Sequence, residues 1–270
     1  MKQILLLNAL VLFADGGLPL TGWSSAPAEV KAAVPVAAEL DAGGSSTLRV
    51  GVSPVFPPMV FKQGGQLAGV EVDLARALGQ KLGRKVVFVE VPWENQIEAL
   101  NSGRTDIIMS SMAITPARKF VVNFSQPYLT VSQTILVRRE DTQQYVFGFP
   151  LKPKGSIGVI KGTTADFLVQ RHFPKAKRKL FTSGEEAARA LMKRKIDVFI
   201  SDSSLVWYLG GIHATDGLAV VPIVLSQEQL AWAVSKSTDT LLASVNDFLA
   251  QAMKDGLLLK VLRRWTAIGD

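Results

Sequence analysis

Apolar and polar residues alternate along this chain in two rhythms from residue 48 onwards. Short runs rich in β-branched residues are separated by segments in which apolar residues recur every three or four positions, as on one face of a helix. Strands and helices that take turns in this way are typical of an α/β protein with largely parallel sheets. We predict strands at residues 48–52, 86–91, 106–112, 133–139, 156–160, 197–201 and 231–235.

The predicted helices carry apolar faces and recognisable starts. Leu74, Leu78 and Leu82 repeat at four-residue intervals. Ser183 and Glu186 have the spacing of a capping box, in which each side chain accepts a hydrogen bond from the backbone of the other at the start of a helix. The apolar residues of these faces belong to the core whatever the function. We predict helices at residues 71–82, 164–173, 184–195, 203–209 and 239–254.

Two segments of the chain repeat one architecture. Residues 97–108 and 188–199 each read as the end of a helix, a basic turn, and an Asp leading into a buried strand. Polar residues follow both strands, among them Ser111 and Asp202. Ligands of open α/β sheets bind beyond the carboxyl ends of the strands. Two facing lobes would therefore place both polar segments at one cleft.

The chain length favours two compact lobes. Its 270 residues exceed a typical single domain of about 100 to 150 residues. From the strand order we expect lobe 1 to hold residues 47–131 and 231–270, and lobe 2 to hold residues 132–230. Two chain crossings, near residues 131–133 and 230–232, would form a two-stranded hinge between them.

The first residues resemble an export signal. An apolar stretch at residues 4–14 follows Lys2, and Ala26-Pro27-Ala28 has the form of a small-residue cleavage site. We interpret residues 1–28 as a signal peptide and residues 29–46, rich in Ala, Gly and Ser, as a flexible tether. The alternative is a disordered leader. Export would give a periplasmic or otherwise extracytoplasmic protein.

Composition excludes several kinds of site. The chain has no Cys, so thiol nucleophiles and thiolate zinc sites are excluded, and its two His residues, His172 and His213, lie far apart in sequence. We expect no metal. The net charge is +7, with basic clusters at residues 175–179, 193–195 and 263–264 that could suit nucleic acid or an anionic membrane. No nucleic-acid motif accompanies them, so we expect solvated faces and no nucleic-acid partner.

A series of ordered motifs resembles one known family. One of them is Ile114-Thr115-x-x-Arg118, which lies between the helix start at 69–74 and the segment 124–128; the motifs are specific together, whereas any single one would be weak. Over about residues 47–266 the chain resembles the family 3 bacterial solute-binding proteins, the polar amino-acid receptors of ABC importers. The segments that carry the resemblance are residues 48–52, 56–58, 69–74, 111–119, 124–128, 158–164, 255–256 and 263–265.

The resemblance implies both a fold and a function. The fold is the two-lobed, type II periplasmic-binding-protein fold. The function is extracytoplasmic binding of a free amino acid, or a close analogue, in the cleft between the lobes. The partner is an ABC permease in the inner membrane, and the protein is expected to be a monomer with no cofactor and no enzymatic activity.

The same resemblance assigns the charged groups of the ligand. Arg118 binds the α-carboxylate, for which a planar guanidinium is suited, and the backbone N–H groups of Ala113 and Thr164 complete the anion site. Asp202 and the carbonyl of Ser111 accept the ammonium. The alternatives are that Arg118 is a surface residue at a helix start and that Asp202 only caps the following helix. Ala113 replaces the usual Thr or Ser, which removes one hydroxyl contact.

Apolar residues are expected to line the rest of the pocket. Phe56 and Trp93 align with the family's aromatic positions around the ligand stem, and Ile160 adds an apolar wall from lobe 2. Each could instead be ordinary core. Ser53 stands where lysine- and arginine-binding relatives have an Asp for the distal cation, so a basic ligand is less favoured.

Other functions share this scaffold. Cyclohexadienyl dehydratases are similar, but they carry a catalytic Glu three residues after the second-lobe Asp, where this chain has Leu205, which cannot donate a proton. Sensor modules of histidine kinases and lytic transglycosylases share the domain, but we expect no further module after Asp270. A stand-alone amino-acid sensor remains an alternative.

Overall fold

A computed structural model of the chain describes residues 46–146 and 155–266. The predicted signal peptide, and the predicted tether except for its last residue, lie outside the described residues. The strands are β1 (Thr47–Val52), β2 (Val55–Phe56), β3 (Val60–Gln63), β4 (Gln66–Ala68), β5 (Lys85–Glu90), β6 (Ile107–Ile108), β7 (Asn123–Phe124), β8 (Leu129–Arg138), β9 (Ser156–Ile160), β10 (Lys177–Phe181), β11 (Val198–Asp202), β12 (Leu218–Leu230) and β13 (Ala233–Val234).

The helices follow most strands, as the sequence pattern predicts. Short 3₁₀ helices are also present at Trp93–Asn95 and Arg139–Asp141. The α-helices are α1 (Val70–Lys81), α2 (Gln96–Asn101), α3 (Pro116–Val121), α4 (Gln143–Val146), α5 (Thr164–His172), α6 (Gly184–Met192), α7 (Ser203–Ile212), α8 (Asp239–Lys254) and α9 (Leu257–Trp265).

The protein is an α/β protein with two lobes, each built on a five-stranded sheet. The first sheet has the order β5-β1-β6-β13-β7 and the second the order β10-β9-β11-β8-β12. In each, three neighbouring strands are parallel and the remaining pairs are antiparallel. Strands β2, β3 and β4 form a small third sheet. The fold class expected from the sequence is therefore confirmed.

Helices cover the first sheet with the apolar faces predicted for them. Leu74 and Leu78 of α1 are fully buried, as are Val245 and Leu249 of α8. Helices α1, α8 and α9 contact one another. The C-terminal helices therefore pack on the same lobe as α1. No helix of residues 46–146 or 155–266 is both long and apolar enough to span a bilayer.

Two long strands carry the chain towards and away from the second sheet. Strands β8 and β12 pair antiparallel from Leu129 opposite Leu230 to Arg138 opposite Leu218. Beside their junction with the first lobe, Tyr128 donates a backbone hydrogen bond to Leu230, and Ala231 donates one to Met112. The first bond joins the two crossings to each other, and the second joins one of them to the loop that follows β6.

Three predicted strands differ from the structure by two or more residues at one end. The predicted strand 106–112 is too long, because pairing stops at Ile108 and Ser111 turns the chain with a φ of 55°. The predicted strand 231–235 shortens to Ala233–Val234, whereas the strand predicted at 133–139 begins earlier, at Leu129. In each case the length is set by pairing with distant strands.

Two strands of the second sheet were not predicted. In the sequence, strand β10 is hidden within the basic cluster 175–179. The structure places Lys177, Arg178 and Lys179 at the edge of the sheet, where all three are exposed. Charged residues on an edge strand hinder pairing with another chain. Strand β12 contains the exposed Pro222 and changes register between Val221 and Ser226, which disguises its period.

Candidate functional site

Arg118 is held at the cleft by its own helix and by its aromatic neighbour. The Thr115 hydroxyl accepts a hydrogen bond from the Arg118 backbone N–H and caps α3, whose first residue is Pro116. The guanidinium lies over the ring of Trp93, with 5.1 Å between Cζ and the ring centroid. Its Nη1 donates to the carbonyl oxygen of Ala113 over 2.9 Å. The fork is thus oriented before any ligand binds.

The charge of Arg118 lacks a direct counter-ion. Only 9% of the residue is exposed, and its guanidinium forms no ion pair with a carboxylate of residues 46–146 or 155–266. Burial lowers the pKa of Arg118, and the more distant charges of Glu228 and Asp202 act in the opposite direction. A buried, unpaired guanidinium is costly. The arrangement is that of an anion site, suited to a carboxylate.

Asp202 lies at the carboxyl end of β11 and faces the same cleft. Burial raises the pKa of its carboxyl group from 3.8 to about 7, and the charge of Glu228 contributes to the rise. A hydrogen bond from Gln133 and the charge of Arg118 oppose it. The side chain makes no capping hydrogen bond, although Asp202 occupies the N-cap position of α7. The Asp202 carboxylate, which is the expected acceptor for a ligand ammonium, therefore bonds to Gln133 and not to the N-terminus of α7.

A chain of hydrogen bonds joins Asp202 to a second carboxylate. Gln133 donates from Nε2 to Asp202 Oδ1 over 2.5 Å and to Thr164 Oγ1 over 3.2 Å. The Thr164 hydroxyl in turn donates to Glu228 Oε2 over 2.5 Å. Gln133 Oε1 is buried and accepts no hydrogen bond from the residues that the structure describes. A buried oxygen without a donor is uncommon, and this one leaves an acceptor open beside Asp202.

Ser111 is fixed by a buried acid of the first lobe. Its backbone N–H donates to Glu71 Oε1 over 2.8 Å, and this bond holds the left-handed turn at Ser111. Glu71 is fully buried and also accepts from the Tyr128 hydroxyl and the Trp232 indole, over 2.5 and 2.7 Å. Burial raises the pKa of Glu71, while these donors act to lower it. One carboxylate therefore links the cleft loop to both crossings between the lobes.

Thr164 opens helix α5 at the other side of the cleft. Thr163 caps this helix by accepting the N–H of Asp166, and the Gly162 N–H donates to the Asp166 carboxylate over 3.0 Å. The backbone N–H of Thr164 takes part in none of the hydrogen bonds among the described residues. The same holds for the N–H of Ala113, whose carbonyl instead accepts from Arg118. Both N–H groups expected at the anion site thus lack an acceptor in the part of the chain that the structure describes.

The apolar residues expected around the ligand stem lie close together. Phe56 and Trp93 pack edge to face, with ring centroids 5.2 Å apart. Phe56 is 6% exposed and Ile160 is 1% exposed, so both also belong to the core. Ser53 is buried, and its backbone N–H donates to the Ser110 hydroxyl over 2.8 Å. Its hydroxymethyl side chain adds no charge to the cleft.

The two lobes touch across the cleft at more than one place. Lys161, after β9, forms an ion pair with Glu94, after β5, at 2.6 Å. The ring of Phe61 on β3 lies 5.8 Å from that of Tyr208 on α7, centroid to centroid. Both contacts join residues far apart in sequence.

Sequence reasoning missed three residues of this site. Gln133 and Glu228 lie on strands whose register was unknown, so no local pattern could bring them beside Asp202. In the sequence, Glu71 belongs to the segment 69–74 and begins the predicted helix 71–82, without a role at the cleft. The available signal was its spacing from Leu74 and Leu78, which puts this acid on the apolar face of the helix, where a buried acid requires dedicated donors.

Comparisons with known proteins place these features in a family. Residues 48–268 match the bacterial extracellular solute-binding proteins, family 3. The chain is 27% identical over 220 residues to the L-cystine-binding protein of Escherichia coli (strain K12), covering 81% of this chain and 82% of that protein.

Solved structures agree with this assignment. An ancestral arginine-binding protein bound to arginine superposes with a TM-score of 0.76 at 31% identity, covering 83% of this chain and 99% of the other. An ancestral amino-acid-binding protein, described as a precursor of cyclohexadienyl dehydratase, gives 0.75 at 37% identity, covering 82% and 95%. This chain belongs to the bacterial extracellular solute-binding proteins, family 3.

Proposed function

We propose that this protein binds a free amino acid, or a close analogue, between its lobes and delivers it to an ABC permease. The observation that carries the proposal is the unpaired Arg118 guanidinium facing the Asp202 carboxylate across the cleft. A zwitterion supplies one partner for each. Its carboxylate would bind Arg118, and its ammonium would bind Asp202.

The surrounding residues complete this recognition. The free N–H groups of Ala113 and Thr164 add donors for the ligand carboxylate, and the Ser111 carbonyl adds an acceptor for its ammonium. Phe56 and Trp93, with Ile160 from the other lobe, would enclose the aliphatic stem. Ser53 would face the end of the ligand side chain.

The lobes would open and close on the ligand about the β8 and β12 crossings. We assign residues 47–131 and 231–270 to lobe 1 and residues 132–230 to lobe 2. Arg118 then belongs to lobe 1 and Asp202 to lobe 2, so a bound zwitterion bridges them. Such a ligand favours the closed form by its greater affinity for it.

We place the protein outside the cytoplasm, as a monomer that meets its permease at the inner membrane. Supporting the location, the family to which the chain belongs consists of extracellular solute-binding proteins.

We infer binding without chemistry. One structural neighbour is described as a precursor of cyclohexadienyl dehydratase, so dehydration is the rival function to be tested. Leu205 stands at the position of the dehydratase acid and is 1% exposed. It packs so closely against Gly184 that a Cβ added to this glycine would lie 2.9 Å from the Leu205 side chain. An aliphatic side chain locked in the core offers no proton to a substrate.

The ligand itself provides the test. Small molecules released from purified, denatured protein are identified by mass spectrometry, and the twenty amino acids and prephenate are screened by thermal shift. We expect an amino acid in the first experiment and a rise in the unfolding temperature with it in the second, because a ligand of the native state stabilises it. Turnover of prephenate, or no response to any amino acid, would overturn the proposal.

A further inference from the structure

We propose that Glu228 sets the charge of the ligand: it excludes amino acids with an anionic side chain and favours those with a cationic one. This rests on the proposed function, whose α-amino and α-carboxylate contacts it leaves unchanged. Glu228 becomes a specificity-determining residue of the cleft.

Strand register places Glu228 on the face of the second sheet that carries the site. Asp202 pairs with Gln133, and Gln133 pairs with Ser226 on the other side. Glu228 lies two residues beyond Ser226, opposite Val131. Since alternate residues of a strand point to the same face, Glu228 shares a face with Asp202 and Gln133.

Hydrogen bonds then fix the Glu228 carboxylate in the cleft. It accepts the Thr164 hydroxyl over 2.5 Å and the Ser226 hydroxyl over 3.4 Å. The residue is only partly exposed, and no Lys, Arg or His of the described residues forms an ion pair with it. Hydroxyl donors orient the carboxylate without neutralising it.

The charges of the cleft therefore do not balance. Arg118 stands against two carboxylates, Asp202 and Glu228, and both of these act electrostatically on the guanidinium. A neutral zwitterion adds one charge of each sign and leaves one negative charge uncompensated. A ligand with an additional cation removes this excess, whereas one with an additional carboxylate doubles it.

This inference changes the expectation drawn from Ser53. The uncharged Ser53 removes the acid that lysine- and arginine-binding relatives use, and the sequence therefore disfavoured a basic ligand. Glu228 supplies an acid from the other lobe, on a strand that is distant in sequence. A basic ligand thus regains its counter-charge by a different route.

The test compares ligands that share a shape and differ in charge. Calorimetry measures the affinities of glutamine against glutamate, asparagine against aspartate, and arginine against citrulline. In the wild-type protein we expect each less negative partner to bind at least about tenfold more tightly, as for one repelled or unpaired charge in a cleft. In Glu228→Gln, which keeps an acceptor for Thr164, we expect these ratios to fall towards one.

The matched control is Glu98→Gln, since Glu98 is an exposed acid on α2. It removes the same charge outside the cleft, and we expect wild-type affinity ratios.

A second measurement follows the affinity for the amino acid as a function of pH. Asp202 is faced by Arg118 from α3, Glu228 from β12 and Gln133 from β8, with Tyr128 nearby. Removing the Glu228 charge should move the midpoint of the profile to lower pH, an effect that a structural role alone would not produce.

The outcomes separate the two proposals. If amino acids bind without preference for charge, or if Glu228→Gln leaves the ratios unchanged, the role of Glu228 is wrong and the binding function stands. If none of the twenty amino acids binds, the proposed function fails and this inference fails with it.

Discussion

The guanidinium of Arg118 donates a hydrogen bond across the cleft to the carbonyl oxygen of Gly162, 3.3 Å away. Gly162 follows β9 of the second sheet, whereas Arg118 lies on α3 beside the first. The residue proposed to bind the ligand carboxylate is therefore also a contact between lobes. If Arg118 binds the ligand carboxylate as proposed, ligand binding and lobe closure would be coupled through this one side chain.

The first prediction concerns Arg118. Arg118→Ala should reduce affinity for any α-amino acid by at least about a hundredfold, or about 3 kcal/mol, because a ligand carboxylate would be buried without its charged partner. Isothermal titration calorimetry measures the loss. Lys119→Ala, which removes the exposed neighbouring charge on the same helix, serves as the control and should bind normally. Near wild-type affinity in Arg118→Ala would refute the assignment.

The second prediction concerns closure. If the ligand bridges Arg118 and Asp202, both of its charged groups are needed to hold the lobes together. Small-angle scattering should show a smaller radius of gyration with the cognate amino acid, and no change with the corresponding amine that lacks the carboxylate. The Lys161–Glu94 pair should contribute little to this difference, since both side chains are about half exposed and such pairs contribute at most about 1 kcal/mol. An unchanged radius at saturating amino acid would exclude the bridging role.

The third prediction concerns Glu71. Glu71→Gln should lower the free energy of unfolding by about 2 to 3 kcal/mol, because the amide NH₂ would face a buried N–H donor, either the Ser111 backbone N–H or the Trp232 indole N–H. Urea denaturation followed by fluorescence measures the change. Glu98→Gln again provides the control, as an exposed acid whose replacement should leave stability within about 0.5 kcal/mol. Equal stability of the two variants would show that the buried bonds to Glu71 contribute nothing net.

The sequence predicts the parts of the site that depend on local pattern. Arg118 ends the Ile114-Thr115-x-x-Arg118 motif and Asp202 ends a buried strand, and it is the family resemblance of these segments that predicts both as ligand-binding residues. Ser111 could be named as well, but the turn that presents its carbonyl depends on Glu71, whose donors come from Tyr128 and Trp232.

The rest depends on pairing between distant strands. Glu228 and Gln133 meet Asp202 only because β12, β8 and β11 lie side by side in one register. A shift of one residue would turn Glu228 to the opposite face. Pro222 and the register change after Val221 hide β12 from periodicity, and no local signal compensates.

The last prediction concerns pH. Burial raises the pKa of the Asp202 carboxyl group from 3.8 to about 7, so near neutral pH the empty cleft holds this group partly protonated. The ligand ammonium requires the carboxylate, and binding must therefore release the proton. Affinity should rise about tenfold per pH unit up to about pH 7 and then level off.

The stability of the ligand-free protein should change in the opposite sense. The folded-state pKa of Asp202 lies above its unfolded value, so its contribution to stability is fully present below about pH 3.8 and is lost as pH rises through about 7. Calorimetry between pH 5 and 8 tests the affinity, and urea denaturation over the same range tests the stability. Asp202→Asn should bind weakly, with an affinity that no longer rises with pH, and should remove this part of the stability change. A wild-type affinity that is constant from pH 5 to 8 would show that Asp202 is already ionised in the empty cleft, or that the ammonium binds elsewhere.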